Sequence, residues 1–182
     1  FLKGRLLAPL EMYRTSLGTA EARERGNAAV DHRRVRGEVR ALKRRYEAAD
    51  VPLAPAGSLW SSVDDMTRWI RMVLNEGQLD GKRILSAEVV AEMLRPQTLL
   101  SKPPYPTYKL LNPHWSSYGL GWFQFDYQGR AVNFHTGSFE GMSAIVGLIP
   151  DEELGVVVLS NLDHAELRHA LMLTVFDYYS GQ

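Results

Sequence analysis

Apolar and polar positions alternate most regularly over Val132-Asn133-Phe134-His135-Thr136-Gly137-Ser138, the period of a half-buried β-strand. Further strand candidates lie on both sides, Tyr118 to Phe125 before it and Ser143 to Ile149 and Gly155 to Ser160 after it. The pattern predicts an antiparallel meander with 132–138 in its middle. It sets one imidazole, one hydroxyl and a bare glycine backbone side by side at a strand end, and glycine there lets another backbone or a ligand come close. A functional site is expected at this stretch.

Upstream the period changes to that of helices. Ser62-Val63-Asp64-Asp65 is a capping-box pattern, the two aspartates suit the positive end of a helix, and Met66, Trp69, Ile70, Val73 and Leu74 form one apolar stripe ended by Gly77. Adjacent positions on a helix do not face each other, so Asp64 and Asp65 read as capping groups rather than paired catalytic carboxylates. Leu79-Asp80-Gly81-Lys82 predicts a turn, and Ser86 to Leu94 a shorter helix closed before Pro96. Residues 1–8 read as the end of an amphipathic helix stopped by Pro9. With Phe1 first and no cap before Leu2, the chain reads as one entered in mid-helix. Pro52 to Gly57 predicts a loop. At the other end, Asp163 is expected to cap a helix to about Tyr179, with Leu167, Leu171, Val175 and Tyr178 or Tyr179 on its apolar face.

Two long polar stretches remain. Residues 18–50 carry nine Arg or Lys, from Arg23 to Arg45, against Glu21, Glu24, Asp31 and Glu38; they read as a solvated surface loop, with an anion-binding patch as the sharper alternative. Residues 96–117 hold several prolines with Tyr105, Tyr108 and Trp115, which suits either a binding lid or a packed surface loop. The totals add exclusions. At 182 residues, the chain is one domain or a little more, and with 21 Lys+Arg against 21 Asp+Glu nothing global points to nucleic acid or an anionic membrane. The absence of Cys removes disulfides and thiolate chemistry, and no apolar run reaches the roughly 18 residues of a membrane span. The five His show no metal-ligand spacing, His164 and His169 being five apart; neither metal nor cofactor is expected. Gly119, Gly121, Gly137 and Gly141 match no phosphate-loop pattern, and Gly119 and Gly121 read as room in a twisted strand. No G-x-S-x-G elbow and no S-x-x-K pair occurs. His135 by itself reads either as a structural strand histidine or as a catalytic group.

Several segments together resemble one family. Pro9-Leu10-Glu11-Met12 is similar to a "PLGM" turn, with Glu11 at the usual glycine. Ala54-Pro55-Ala56-Gly57-Ser58-Leu59 followed by Ser61 to Trp69, then Leu74 to Gly77 with Asp80 to Ser86, continue the pattern. Tyr118-Gly119-Leu120-Gly121-Trp122, His135-Thr136-Gly137, Gly141, Ile149-Pro150 and Gly155 to Asn161 complete it. This is similar to the C-terminal half of the serine β-lactamase and penicillin-binding-protein-like hydrolases, in the class C, esterase and D-aminopeptidase branch. The resemblance implies an α+β fold, an antiparallel sheet flanked by helices, as the C-terminal portion of such a domain, with 1–117 mainly helices and loops and 118–182 strands and the C-terminal helix. It also implies an acyl-enzyme hydrolase of an ester, amide, D-amino-acid peptide or β-lactam. Of that family's three motifs only the third is matched, by His135-Thr136-Gly137; the S-x-x-K nucleophile and the Y-x-N motif would lie upstream of Phe1.

By resemblance, His135 would orient the missing tyrosine and serine electrostatically, and the Ser138 backbone N–H would be an oxyanion donor. Gly137 would keep the strand open to substrate and Thr136 would hydrogen-bond it. Gly57 and Ser58, with the segment from Tyr108 to Trp115, would wall the pocket. The chain alone would be inert. The partners implied are a small-molecule or peptide substrate and, in a two-chain variant, the N-terminal half of the protein as a separate chain. Relatives of this kind are often exported, which favours a bacterial periplasmic or secreted protein, with a cytoplasmic one as the alternative. The competing reading is a non-catalytic binding or assembly module that keeps the fold.

Overall fold

The computed structural model describes residues 1–42, 50–101, 105, 108, 111–139 and 141–180, with backbone only for 50–53. Its centre is a six-stranded sheet of β5 (Thr98–Leu99), β6 (Ser116–Tyr118), β7 (Phe123–Tyr127), β8 (Arg130–Phe139), β9 (Met142–Ile149) and β10 (Leu154–Ser160). Spatial order follows chain order, every pair is antiparallel, and β8 lies inside the sheet as expected. Helices α3 (Val63–Leu74) and α4 (Ala87–Leu94) cover one face and α5 (Leu167–Tyr179) the other, so the mixed α+β architecture stands.

The period-two pattern of β8 decides what each face receives. Val132 and Phe134 enter an aromatic cluster with Tyr108, Phe125 and Ile145 and with Met172, Leu173 and Phe176 of α5. On the opposite face Ile70 and Val73 of α3 and Val90 of α4 pack with Trp122, Leu148 and Leu7 and Leu10 of the N-terminal turn. Gly147 and Gly155 let the helices close on the sheet: a Cβ at Gly147 would stand 2.4 Å from Met172 Sδ, and one at Gly155 would stand 2.3 Å from Ile70 Cγ2. Ser62 Oγ accepts from Asp65 N at 3.3 Å, so the predicted cap of α3 forms, and Ser86 Oγ accepts from Val89 N at 3.3 Å to cap α4 in the same way. Asp65 does more than complement the helix end. It is buried and accepts from Arg14 N at 2.9 Å and Thr15 Oγ1 at 2.7 Å, which fastens the N-terminal segment to α3.

Other expectations give way. Residues 50–57 form helix α2 (Asp50–Gly57) instead of a loop; Pro52 sits in its first turn, where the missing N–H had no partner to lose. The polar stretch 18–42 contains α1 (Thr19–Glu24) and a hairpin of β1 (His32–Val35) and β2 (Glu38–Ala41). Arg36 and Gly37 both have positive φ, 51° and 89°, the turn that matches strand twist. The hairpin strands are exposed on nearly every residue, so no apolar alternation announces them. The strand expected over Tyr118 to Phe125 is two strands, divided by a turn in which Gly121 has φ 87°. Helix α5 starts at Leu167 with Glu166 at its cap position and no side-chain cap, and it buries Arg168, His169, Met172, Leu173 and Phe176. Leu167, Leu171, Tyr178 and Tyr179 are exposed: the buried face is the neighbouring stripe. Of the expected lid, Tyr108 is a core side chain, 1% exposed, while Trp115 lies at the surface; Lys109 and Leu110 lie outside the described residues.

Candidate active site

Strand β8 outlasts its neighbour. The last β7 pair is Phe123 with Phe134, whereas β9 pairs with β8 from Asn133 to Phe139. From 135 to 139, therefore, one backbone edge of β8 has no strand partner among the described residues. The side chains change at the same point. Asn133 is buried, accepting from Gln124 Nε2 at 2.9 Å, and Leu148 opposite it is fully covered. The next positions on that face, His135, Gly137 and Ala144, are exposed, and Leu159 of β10 is 39% exposed. The helical cover thins past Asn133 and Leu148, where Val146 opposite His135 is only partly buried against it, and a shelf begins.

His135 stands at the start of the shelf. Its ring stacks on Phe123, with centroids 5.7 Å apart and planes at 23°, and meets the edge of Tyr118 at 6.4 Å. Partial withdrawal from water lowers its pKa below the ordinary histidine value, because burial disfavours the imidazolium. Aromatic rings hold the imidazole in place. At Gly137 nothing lies within 4 Å of where a Cβ would be, so a ligand can approach the strand there.

Thr136 and Ser138 face the other way. Thr136, expected to hydrogen-bond a substrate, is buried: its hydroxyl donates to Ala144 O at 2.8 Å and accepts from Arg168 Nε at 2.7 Å. The hydroxyl of Ser138 lies 3.0 Å from Met142 O and 2.9 Å from Asp163 Oδ1 and accepts from His164 N at 2.7 Å. Ser138, Asp163 and His164 have the composition of a hydrolytic triad in an order that cannot work as one. The carboxylate separates the other two, His164 Nδ1 being 2.9 Å from Asp163 Oδ1, so no imidazole touches the serine oxygen. Burial works against ionisation of Asp163, but hydrogen bonds from Ser138, Arg33 and His164 outweigh it and leave its pKa below the usual carboxylate value. The group is an anionic latch, and Ser138 offers the open side backbone only.

The hairpin is part of this latch. Arg33 Nε reaches Asp163 Oδ2 at 3.1 Å, His32 N donates to Gly141 O at 3.1 Å, and Asp163 N donates to His32 O at 2.9 Å. Gly141, φ 93°, makes the approach possible: a Cβ there would lie 2.7 Å from Asp31 Cβ. Asp163, Arg33 and Arg168 were missed as site residues. The hairpin carries no hydrophobic signal, and Arg168 lies in a stripe whose other members only the tertiary packing reveals. Gly57 is exposed at the end of α2, and Ser58 Oγ donates to Ala54 O at 2.9 Å and Leu17 O at 3.2 Å. Among the described residues no hydrogen bond joins either of them to β8.

The remaining histidines are occupied elsewhere. His114 Nδ1 pairs with Asp126 at 2.6 Å on the surface. His169 is fully buried, its Nδ1 3.0 Å from Tyr108 Oη, and its pKa falls to about 4 because burial and then the Arg168 cation disfavour its charged form. Among the described residues no group of three His, Cys, Asp or Glu is placed to hold a metal, and no helix is long and apolar enough to cross a membrane.

A family model described as Beta-lactamase matches residues 1–175. A curated relative, the Unguisins hydrolase of Aspergillus violaceofuscus, is 29% identical over 118 residues, which are 60% of this chain and 20% of that protein. Protein Rv1367c of Mycobacterium tuberculosis is 38% identical over 65 residues, 36% of this chain and 16% of that protein. Among solved structures, the octameric penicillin-binding protein homologue from Pyrococcus abyssi superposes with a TM-score of 0.73 at 23% identity, over 96% of this chain and 36% of that one. The chain thus spans a fifth or less of the curated relatives it matches and about a third of the structural neighbour.

Proposed function

This chain belongs to the Beta-lactamase family, and we propose that it supplies one wall of a serine acyl-transfer site rather than a complete one. The carrying observation is the coincidence, at residues 135–139, of a backbone edge without a strand partner among the described residues, a His135 stacked on Phe123 and an open Gly137. An extended acyl group can add to such an edge as a further strand. In this reading the nucleophile is a serine of an S-x-x-K segment upstream. Its oxygen bonds to the substrate carbonyl carbon, the leaving group departs with a proton, and water then hydrolyses the acyl-enzyme. The Ser138 N–H faces the developing oxyanion, and His135 orients the groups that exchange the proton. The substrate class is an ester, amide, D-amino-acid peptide or β-lactam. An exported protein fits this reading.

Hydrolysis of p-nitrophenyl acetate tests it. The 182 residues alone are expected to be inert. The nucleophile-bearing polypeptide is expected to turn over, with His135→Ala lowering kcat on the order of 100-fold. Turnover by the 182 residues alone, or an unaffected His135→Ala, overturns the proposal.

A further inference from the structure

Where the β7 ladder stops, β8 loses the hydrogen bonds that hold one of its edges, yet this is the stretch whose geometry a ligand would read. The back of the strand compensates. One short segment, 163–168, grips both inward side chains: Asp163 holds Ser138 at 2.9 Å and Arg168 holds Thr136 at 2.7 Å. We propose that Arg168 is a positioning residue of the site, fixing through the Thr136 hydroxyl the register and tilt at which β8 presents His135 and Gly137.

This rests on the acyl-transfer reading above for what the strand does, and on separate geometry for what Arg168 does. A guanidinium has only donors, so Thr136 Oγ1 must accept from Arg168, and its own proton is then directed to Ala144 O. Ala144 is the cross-strand partner of Gly137. The relay therefore ties α5, β8 and β9 together beside the open glycine. Arg168 Nη1 donates to Ala165 O at 2.9 Å and lies 3.4 Å from Glu166 Oε1, which fixes the guanidinium against the turn that leads into α5. A buried cation of this kind, 3% exposed, contributes little net stability, and well-packed apolar side chains often do as well or better. What it supplies is direction: Nε–H has a defined axis, and apolar contacts have none.

The test separates orientation from stability. In the nucleophile-bearing polypeptide, Arg168→Lys and Thr136→Val are each expected to lower kcat on the order of 10- to 100-fold with KM nearly unchanged, the scale of an approximately 1 Å misplacement, while Thr136→Ser restores the wild-type rate. The pair Arg168→Met with Thr136→Val is expected to fold with near wild-type thermal stability and remain slow. Wild-type kcat in Arg168→Lys, or loss that simply follows thermal stability, overturns the proposal. If wild type itself shows no turnover, the acyl-transfer reading is what has failed, and NMR of the 182-residue chain still decides. Thr136→Val is expected to shift or broaden the His135 ring and Gly137 amide signals, and unmoved signals overturn the positioning role.

Discussion

The two sides of β8 are built to opposite specifications within a single strand. Behind it, Phe134 is fully buried between Phe123, Phe125 and Tyr108, with ring centroids 4.7 to 5.6 Å away, and Thr136 and Ser138 have their hydroxyls engaged. In front, His135 and Gly137 have one flanking ring system and open space. The difference is that the strand's packing and side-chain hydrogen bonds lie behind it and its front is left open. Under the acyl-transfer proposal, fixing the strand through its opposite face keeps the exposed groups unencumbered until a ligand arrives.

The strongest way to break this contrast is to truncate adjacent residues. Phe134→Ala removes a ring from a packed cluster and is expected to cost about 3–5 kcal/mol of unfolding free energy. His135→Ala, one position along, loses one stacking contact and is expected to cost at most about 1 kcal/mol. Urea denaturation of both variants checks the pair; similar losses would mean that both faces carry the fold.

Acid should injure the back before the front. Well above pH 6.5 His169 is neutral in folded and unfolded chains and contributes no pH dependence. As pH falls from 6.5 toward 4, the unfolded chain takes up a proton that the folded chain refuses, so stability declines through that window. The loss is on the order of 2 to 3 kcal/mol. Tyr105, Tyr108, Arg168 and Glu166 surround the imidazole, and none of them offers a buried anion to rescue the charge. Thermal melts of wild type and His169→Phe from pH 7 to 4 are expected to differ in slope, wild type being the steeper; parallel curves would remove His169 from the account.

The sequence made one half of this contrast readable. Period-two alternation at 132–138 located the strand, and the stripe from Met66 to Leu74 located α3, because each element has a polar side to set off its apolar one. Resemblance then pointed to His135-Thr136-Gly137. What remained hidden was which way Thr136 points and what holds it. Alternation tells that 135 and 136 face oppositely, but not which face the helices cover, and both residues are polar. The buried stripe of α5 lies one position from the expected one because Leu167, Leu171 and Tyr178 are as apolar as the residues it buries, while two of those, Arg168 and His169, are polar. A buried polar relay is visible only once its partners are in place.

Glycines give a finer test than large side chains. Gly147→Ala puts a methyl on the back face, 2.4 Å from Met172 Sδ and 3.0 Å from Phe176 Cζ. The methionine can swing away but the ring is wedged in the core, so a loss of about 1–3 kcal/mol is expected from overpacking.

Gly137→Ala is the matching change in front, and it should be nearly silent. The added methyl meets nothing within 4 Å, and Gly137 is not among the glycines with positive φ. The smaller freedom of alanine in the unfolded chain even favours the folded state slightly. Stability is expected to stay within about 0.5 kcal/mol of wild type. If the shelf receives an acyl group, the same methyl occupies the space through which it approaches. Raised KM for p-nitrophenyl acetate in the nucleophile-bearing polypeptide, with an unchanged melting curve, would then locate the ligand on this side of β8. A destabilised Gly137→Ala would instead show that the front is packed, and the contrast between the two faces would fail at its most sensitive point.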